Sequence, residues 1–240
     1  MAESHSSPRG YLFALWQCVV DPVQAFHRRA SEEADLGRML RRLVLVRTPP
    51  ALVGWVLAYA GLATAYQKLF TSGGTLWHQI PPLLPESVSP EDLKALVQTL
   101  PALPPWPRML PWFVVLAPLG VLSLWLHDAV WDHLALWMLG GVDPKSRFRA
   151  TLLADAEALE AGAFGAVAGL LKYLPPVGCL VQVLLLPVAV YFWILRGFAL
   201  AARHGCPLWK GITATLLHVL LVVLFFGGTV LLGVIVMLRF

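Results

Sequence analysis

Charged residues are scarce in this chain. Only 13% of its 240 residues are Asp, Glu, Lys or Arg, against 58% hydrophobic residues, and the mean hydropathy is +0.69. Soluble domains carry roughly a quarter charged residues. Cysteine is also scarce, and its three copies, Cys18, Cys179 and Cys206, show neither a disulfide framework nor a paired metal-binding spacing. These shortages exclude an ordinary soluble domain and a disulfide-stabilised secreted one, and they indicate a membrane protein.

The sequence also lacks the short motifs of common catalytic sites. It contains no Gly-x-Ser-x-Gly, no His-Glu-x-x-His, no Walker loop and no Cys-x-x-Cys. The apolar segments show no inverted repeat of the kind that secondary transporters use. We therefore predict a protein that is not an enzyme and that has no catalytic residue, no cofactor and no metal.

Five apolar segments are long enough to cross a bilayer, whose hydrocarbon core of about 30 Å requires about 20 residues of helix. The third begins with acidic residues and is the least apolar, and a Pro-Pro-Val-Gly turn separates it from the fourth. The fold class predicted is all-α, a polytopic bundle of five transmembrane helices over residues 48–240, at about 48–66, 109–139, 150–174, 177–202 and 212–238.

Basic residues predict the orientation, because short basic segments stay on the cytoplasmic side. Seven arginines precede the first span, and further basic residues flank the loops after the second and fourth. We expect a cytoplasmic N-terminus and an extracytoplasmic C-terminus, with the proline-rich loop 67–108 on the extracytoplasmic side. The cytoplasmic arginines account for most of the net charge of +4 and suit anionic lipid, so nucleic acid is not required as a partner.

The N-terminal segment, residues 1–47, carries apolar residues at helical spacing on either side of Asp21-Pro22. This pattern predicts amphipathic helices that lie at the membrane surface. Such helices would be a plain membrane anchor, or a docking face for a cytoplasmic partner.

Ionisable side chains within apolar segments are functional candidates, because placing them in lipid is costly. On the second span Asp128 and Asp132 lie one turn apart on the same face, whereas His127 and His133 fall on opposite sides. The two carboxylates could hold a divalent cation or a proton, but the histidines would need another helix to join them. A polar helix end, satisfied by water or by a nearby arginine such as Arg147 or Arg149, is the alternative.

Three further acids begin the third span on the same side. We expect Glu160, the deepest, to pair with Arg196 of the fourth span or with His218 of the fifth, either as a buried fastener or as part of a proton relay. The complete candidate polar cluster is His127, Asp128, Asp132, His133, Asp155, Glu157, Glu160, Arg196 and His218.

Several segments together resemble the bacterial branch of the Yip1 membrane-protein family. They cover nearly the whole chain and are Asp21–Phe26, Leu134–Gly141, Phe148–Leu152, Leu174–Gly178 and Gly197–Gly205. The chain departs from the family's pattern at 155–160, where relatives commonly have a tyrosine and a proline.

The resemblance implies a five-span bundle with its N-terminus inside, without enzymatic activity, in a bacterial inner membrane. Eukaryotic members bind small GTPases, but their Asp-Leu-Tyr-Gly-Pro segment is absent here, so GTPase binding is not implied.

Three hypotheses follow. The first is a non-enzymatic Yip1-type protein that organises the lipid bilayer or binds membrane or cytoplasmic protein partners. The second is a channel, lipid scramblase or proton-coupled carrier that uses the candidate acids and histidines, and the third is an intramembrane metal enzyme. Small residues such as Gly227 and Gly228 favour close helix contacts, and the sequence leaves open whether these form within one chain or in a homo-oligomer.

Overall fold

The computed structural model describes residues 8–71, 95, 103–173 and 178–239. Throughout these residues the regular secondary structure is helical and contains no strand. A short 3₁₀ helix, Leu170–Tyr173, follows the sixth α-helix. The α-helices are α1 (Pro8–Val20), α2 (Pro22–Ser31), α3 (Leu36–Thr71), α4 (Trp106–Met138), α5 (Arg147–Ala161), α6 (Ala163–Gly169), α7 (Gly178–Leu184), α8 (Leu186–His204) and α9 (Leu208–Arg239).

Four stretches of helix in the described part of the chain are long and apolar enough to cross a membrane. They are Leu36–Tyr66, Trp106–Met138, Leu180–His204 and Leu208–Val230. The chain is therefore an all-α, multi-pass membrane protein, as the sequence predicts. The predicted third span, 150–174, is not among the four, because α5 carries three acids and the segment continues as the separate short helices α6 and Leu170–Tyr173.

The first long helix, α3, begins at Leu36, twelve residues before the predicted start of its span at 48. It runs through Pro49 and Pro50, although each proline removes one backbone donor. The added N-terminal turns bury Leu43 against α4 and α5. This packing explains why the helix extends back into the arginine-rich region.

The chain divides into two compact units. The smaller is Leu52–Ala117, and in it the ring of Phe113 packs edge-on against Trp55 and Tyr59. The Tyr59 hydroxyl donates a hydrogen bond of 2.7 Å to the Pro104 carbonyl. Of the predicted proline-rich loop 67–108, residues 72–94 and 96–102 lie outside the described residues.

The larger unit, Met1–Ala51 with Pro118–Phe240, contains every candidate polar residue. Helix α8 packs against α2, α5 and α9. Small side chains on α5 permit a close approach to α8, and Phe26 of α2 is completely buried in the same core. The core residues from α5 and α8 are Ala154, Ala158, Ala161, Leu195, Ala199 and Leu200.

Helices α8 and α9 form a tight hairpin. Gly205 ends α8 at φ 60°, in the left-handed region that favours glycine. Beyond the turn, Gly211 lies against the backbone of Gly197, and a Cβ added at Gly197 would be 2.7 Å from the Ile212 Cα. The two helix backbones are therefore in direct contact.

The N-terminal helices pack on the bundle. Asp21 caps α2 by accepting a hydrogen bond from the Gln24 N–H, and Pro22 occupies the first turn. The Tyr191 hydroxyl donates to the Val19 carbonyl at the end of α1. These contacts place α2 alongside α8.

Candidate functional site

The guanidinium of Arg196 is the centre of a buried polar cluster. Its Nη1 lies 3.1 Å from Asp128 Oδ2, its Nη2 lies 2.5 Å from Asp132 Oδ2, and its Nε lies 3.5 Å from Asp155 Oδ1. His218 Nδ1 is 2.7 Å from Asp132 Oδ1. We call these five residues, Asp128, Asp132, Asp155, Arg196 and His218, the Arg196 cluster.

Four helices contribute to the Arg196 cluster. The two aspartates of α4 lie one turn apart on the same face, as their spacing predicts, and both contact Arg196 of α8. Helices α5 and α9 supply Asp155 and His218. Asp132 and Asp155 are completely buried, and the other three side chains are nearly so. Asp132 accepts from both Arg196 and His218. The cluster therefore fixes the relative positions of α4, α5, α8 and α9.

The Arg196 cluster has more acids than bases. Three carboxylates converge on one guanidinium, and two negative charges remain if all three acids are ionised and His218 is neutral. Among the described residues, neither oxygen of Asp155 has a hydrogen-bond partner, although Oδ1 is within ion-pair distance of Arg196. Buried polar groups of this kind are rare in native proteins.

His127 borders the Arg196 cluster and is more open to its surroundings. Its Nδ1 lies 3.2 Å from Asp128 Oδ1, and its side chain is 40% exposed. The ring centroid is 5.7 Å from that of His218. Three potential ligand atoms, one each from His127, Asp128 and His218, lie within 4.8 Å of one another. Helix α9 therefore brings a histidine close to the acids of α4.

The remaining two acids of α5 make separate ion pairs. Glu157 forms two hydrogen bonds with Arg203, one of them 3.2 Å from its Oε2 to the arginine Nε. Glu160 pairs with Arg29 of α2 at 3.5 Å. The expected pairing of Glu160 with Arg196 or His218 is wrong, because Glu160 lies on the side of α5 that faces α2.

His133 belongs to a different polar chain. The Asp143 N–H donates to His204 Nδ1 at 3.0 Å, and since a backbone N–H can only donate, this nitrogen must be the acceptor. His204 is then neutral and donates from Nε2 to the Thr151 hydroxyl at 2.9 Å. Thr151 in turn donates to His133 Nδ1 at 2.9 Å. The chain joins the ends of α4 and α8 to the start of α5.

An open cavity of about 930 Å³ lies between the N-terminal helices and α5. It is lined by both members of the Glu157–Arg203 and Glu160–Arg29 pairs. Tyr11 also lines it, under the guanidinium of Arg42, and burial raises the pKa of the Tyr11 phenol. Four further arginines line the cavity: Arg9, Arg28, Arg38 and Arg42.

The loop before α5 is ordered by Asp143. Its carboxylate accepts hydrogen bonds from the N–H groups of Lys145 and Ser146 and from the Ser146 hydroxyl. The Ser146 hydroxyl lowers the pKa of Asp143 below its usual value. This turn directs the chain from α4 into α5.

The structure brings five of the nine predicted polar residues together in the Arg196 cluster, with His127 at its edge. It places Glu157, Glu160 and His133 elsewhere. Arg147 and Arg149 are not the partners of the α4 acids, because Arg196 takes that role. The sequence prediction missed Arg29, Arg203, Thr151 and His204. Arg203 could have been identified, because its spacing of seven residues from Arg196 puts both arginines on one helix face.

Comparison with known proteins gave no match: no protein-family model, no curated protein and no solved structure is significantly similar to this chain.

Proposed function

We propose that this protein is a non-enzymatic integral membrane protein of the Yip1 type, which organises the membrane or partner proteins through its N-terminal helices. One observation carries the proposal: every acid of the candidate polar cluster is paired with an arginine on another helix. The pairs are Asp128, Asp132 and Asp155 with Arg196, Glu157 with Arg203, and Glu160 with Arg29.

This pairing favours a structural role. A guanidinium beside a carboxylate favours the ionised form of that carboxylate, which suits a fixed ion pair between helices. Breaking a buried pair leaves an uncompensated charge and is strongly destabilising. The acids therefore serve as fasteners between helices.

The same pairs build a surface for a partner. Glu160 ties α2 to α5, and Arg203 donates to the Ala30 carbonyl at the end of α2. The cavity between these helices is charged and open, and apolar lipid tails would not fill it. We assign this surface to the cytoplasmic side of a bacterial inner membrane, where the arginines of the N-terminal segment would lie.

Five crossings fit the contacts within the larger unit better than four. Asp143 touches His204, and Lys210 Nζ donates to the Gly140 carbonyl, so α4 and α8 end on the side where α9 begins. The chain must return to the opposite side before α8 starts. Helices α5 and α6 with the 3₁₀ helix span 147–173, about 40 Å at 1.5 Å per residue, which is enough for that return.

The test compares stability with transport in the full-length protein reconstituted into liposomes. The variants are Asp128→Asn, Asp132→Asn and Glu160→Gln, with Glu33→Gln as a control at an exposed acid. We expect the three variants to lower the unfolding temperature, and all proteins to give the lipid-scrambling and ion-leak rates of empty vesicles. Flux by the wild type that the three variants lose would overturn the proposal.

A second candidate, a proton-coupled carrier, channel or scramblase, is favoured by the excess of acids in the Arg196 cluster. Three carboxylates around one guanidinium leave room for a proton, and Asp155 has no hydrogen-bond partner among the described residues. This candidate predicts flux driven by a pH gradient and abolished by Asp155→Asn. Glu157→Gln, outside the cluster, would leave that flux unchanged.

A further inference from the structure

We infer that His127, Asp128 and His218 form a binding site for one divalent transition-metal ion, with Zn²⁺ the best match. The inference does not depend on the proposed function, because a structural ion would suit a scaffold as well as a carrier. Two imidazoles and one carboxylate are a ligand set that Zn²⁺ accepts readily.

The spacing of the ligand atoms is the first argument. His127 Nδ1 and Asp128 Oδ1 are 3.2 Å apart, whereas two ligands at about 2.0–2.1 Å from a tetrahedral Zn²⁺ lie about 3.3–3.4 Å apart. All three ligand atoms fall within 4.8 Å. A shift of His218 by up to about 1.5 Å would complete three corners of a tetrahedron and leave the fourth for water.

The charge of the surroundings is the second argument. Asp128, Asp132 and Asp155 together exceed Arg196 by two negative charges when all three acids are ionised and the histidines are neutral, and by one when one of the acids is protonated. A divalent cation supplies the charge that the described side chains do not. Unpaired charge at a buried site is costly, so the site has a strong electrostatic preference for a cation.

The orientation of the ligands is the third argument. Asp132 Oδ1 lies 2.7 Å and Arg196 Nη2 lies 3.2 Å from His218 Nδ1, so Nε2 is the nitrogen of that ring that remains to bind a metal. A carboxylate behind a histidine ligand is the usual support of protein zinc sites. Arg196 likewise holds Asp128 by Oδ2, and the other oxygen, Oδ1, remains for the ion.

The inference is tested on the full-length protein in detergent, stripped with a chelator and titrated with Co²⁺ and then with competing Zn²⁺. We expect one ion per chain, and at least about tenfold weaker binding for His127→Gln and His218→Gln. Asp132→Asn, which removes the carboxylate behind His218 together with the ion pair to Arg196, should weaken binding by about 10–100-fold. His27→Gln, at an exposed histidine of α2, and His133→Gln, on α4 outside the site, should bind as the wild type does.

Thermal unfolding distinguishes a variant that lacks a metal ligand from a variant that is less stably folded. The His127 side chain is 40% exposed, so His127→Gln should unfold at the wild-type temperature when chelator is present. Zn²⁺ at a concentration that just saturates the wild type should raise that temperature for the wild type and raise it much less for His127→Gln. A wild-type protein that takes up no ion, or a His127→Gln variant that binds as tightly as the wild type, would overturn the inference.

Discussion

At the scale of single residues, Arg196 is the side chain on which the larger unit most depends. We expect Arg196→Met to lower the free energy of unfolding by about 3–5 kcal/mol, because it leaves three buried carboxylates without their cation. Arg196→Lys should recover only part of this loss, since an ammonium cannot reach three acids in different directions as a guanidinium does. Equilibrium unfolding in mixed micelles measures both variants.

Arg149→Met is the matched control for Arg196. Arg149 is exposed, and within the described part of the chain it donates to the Ala34 carbonyl, at 3.3 Å; an exposed contact contributes little to stability. A double-mutant cycle of Arg196→Met with Asp132→Asn should show coupling, because the two side chains touch. Equal effects of Arg149→Met and Arg196→Met would show that the Arg196 cluster is not a fastener.

Thr151 makes a second prediction at the residue scale. Its buried hydroxyl connects His204 to His133, and Thr151→Val preserves the shape while leaving both imidazoles without that partner. We expect a loss of about 1–3 kcal/mol, the cost of an unsatisfied buried polar group. Thr229→Val serves as the control, since the exposed Thr229 hydroxyl donates to the Phe225 carbonyl within its own helix. A loss as large for Thr229→Val would contradict this account.

The candidate residues could be predicted from the sequence, because charged side chains stand out in an apolar segment. The residues with which they pair could not be predicted. Helical spacing puts Asp128 and Asp132 on one face, and this holds in the structure. Nothing in the sequence indicates that Glu160 faces Arg29, 131 positions earlier, because that contact depends on how α2 docks against α5. His218 was a candidate, but its hydrogen bond to Asp132 depends on the packing of α9.

At the scale of elements, the contact of α8 with α9 relies on glycine. A Cβ at Gly211 would collide with the carbonyl oxygen of Gly197 and lie 3.0 Å from the Ala201 backbone nitrogen. Backbone atoms cannot move aside as a flexible side chain can, so we expect Gly211→Ala to destabilise the protein by about 1–3 kcal/mol or more. Thermal unfolding of the reconstituted protein measures this loss.

Gly227 of the same helix provides the comparison. Apart from its own helix backbone, no atom of the described residues lies within 4 Å of a Cβ added there, and alanine favours the helix by up to about 1 kcal/mol over glycine. Gly227→Ala should therefore be neutral or stabilising. Destabilisation of similar size by both substitutions would mean that the loss at Gly211 does not come from the α8–α9 contact.

The long apolar helices were predictable because their composition alone identifies them, and α4 and α9 begin and end within a few residues of the predicted bounds. The start of α3 was not predictable, since the prolines at 49 and 50 suggested that the helix begins there. Burial of Leu43 in the core extends the helix back to Leu36. The break between α5 and α6 falls at Gly162, whose carbonyl accepts a hydrogen bond of 2.8 Å from Arg47, a distant contact that the sequence does not indicate.

At the scale of the whole molecule, the number of crossings decides which groups face the cytoplasm. Antiparallel contacts run along α5, α6 and α8: Thr151 meets His204 at one end, and Gly165 meets Phe192 toward the other. If the segment 147–173 crosses the membrane, its two ends lie on opposite sides. The candidate metal site and the Arg196 cluster would then be enclosed on several sides by helices that cross the bilayer.

Single-cysteine labelling tests directly whether the segment 147–173 crosses the membrane. In a chain with its three native cysteines replaced by serine, we expect Lys145→Cys and Lys172→Cys to react with a membrane-impermeant thiol reagent from opposite sides of sealed vesicles. Lys210→Cys should match Lys145→Cys, because Lys210 contacts the Gly140 carbonyl at 2.9 Å near the end of α4. Labelling of Lys145→Cys and Lys172→Cys from the same side would show that the segment turns back without crossing, and the protein would have four spans.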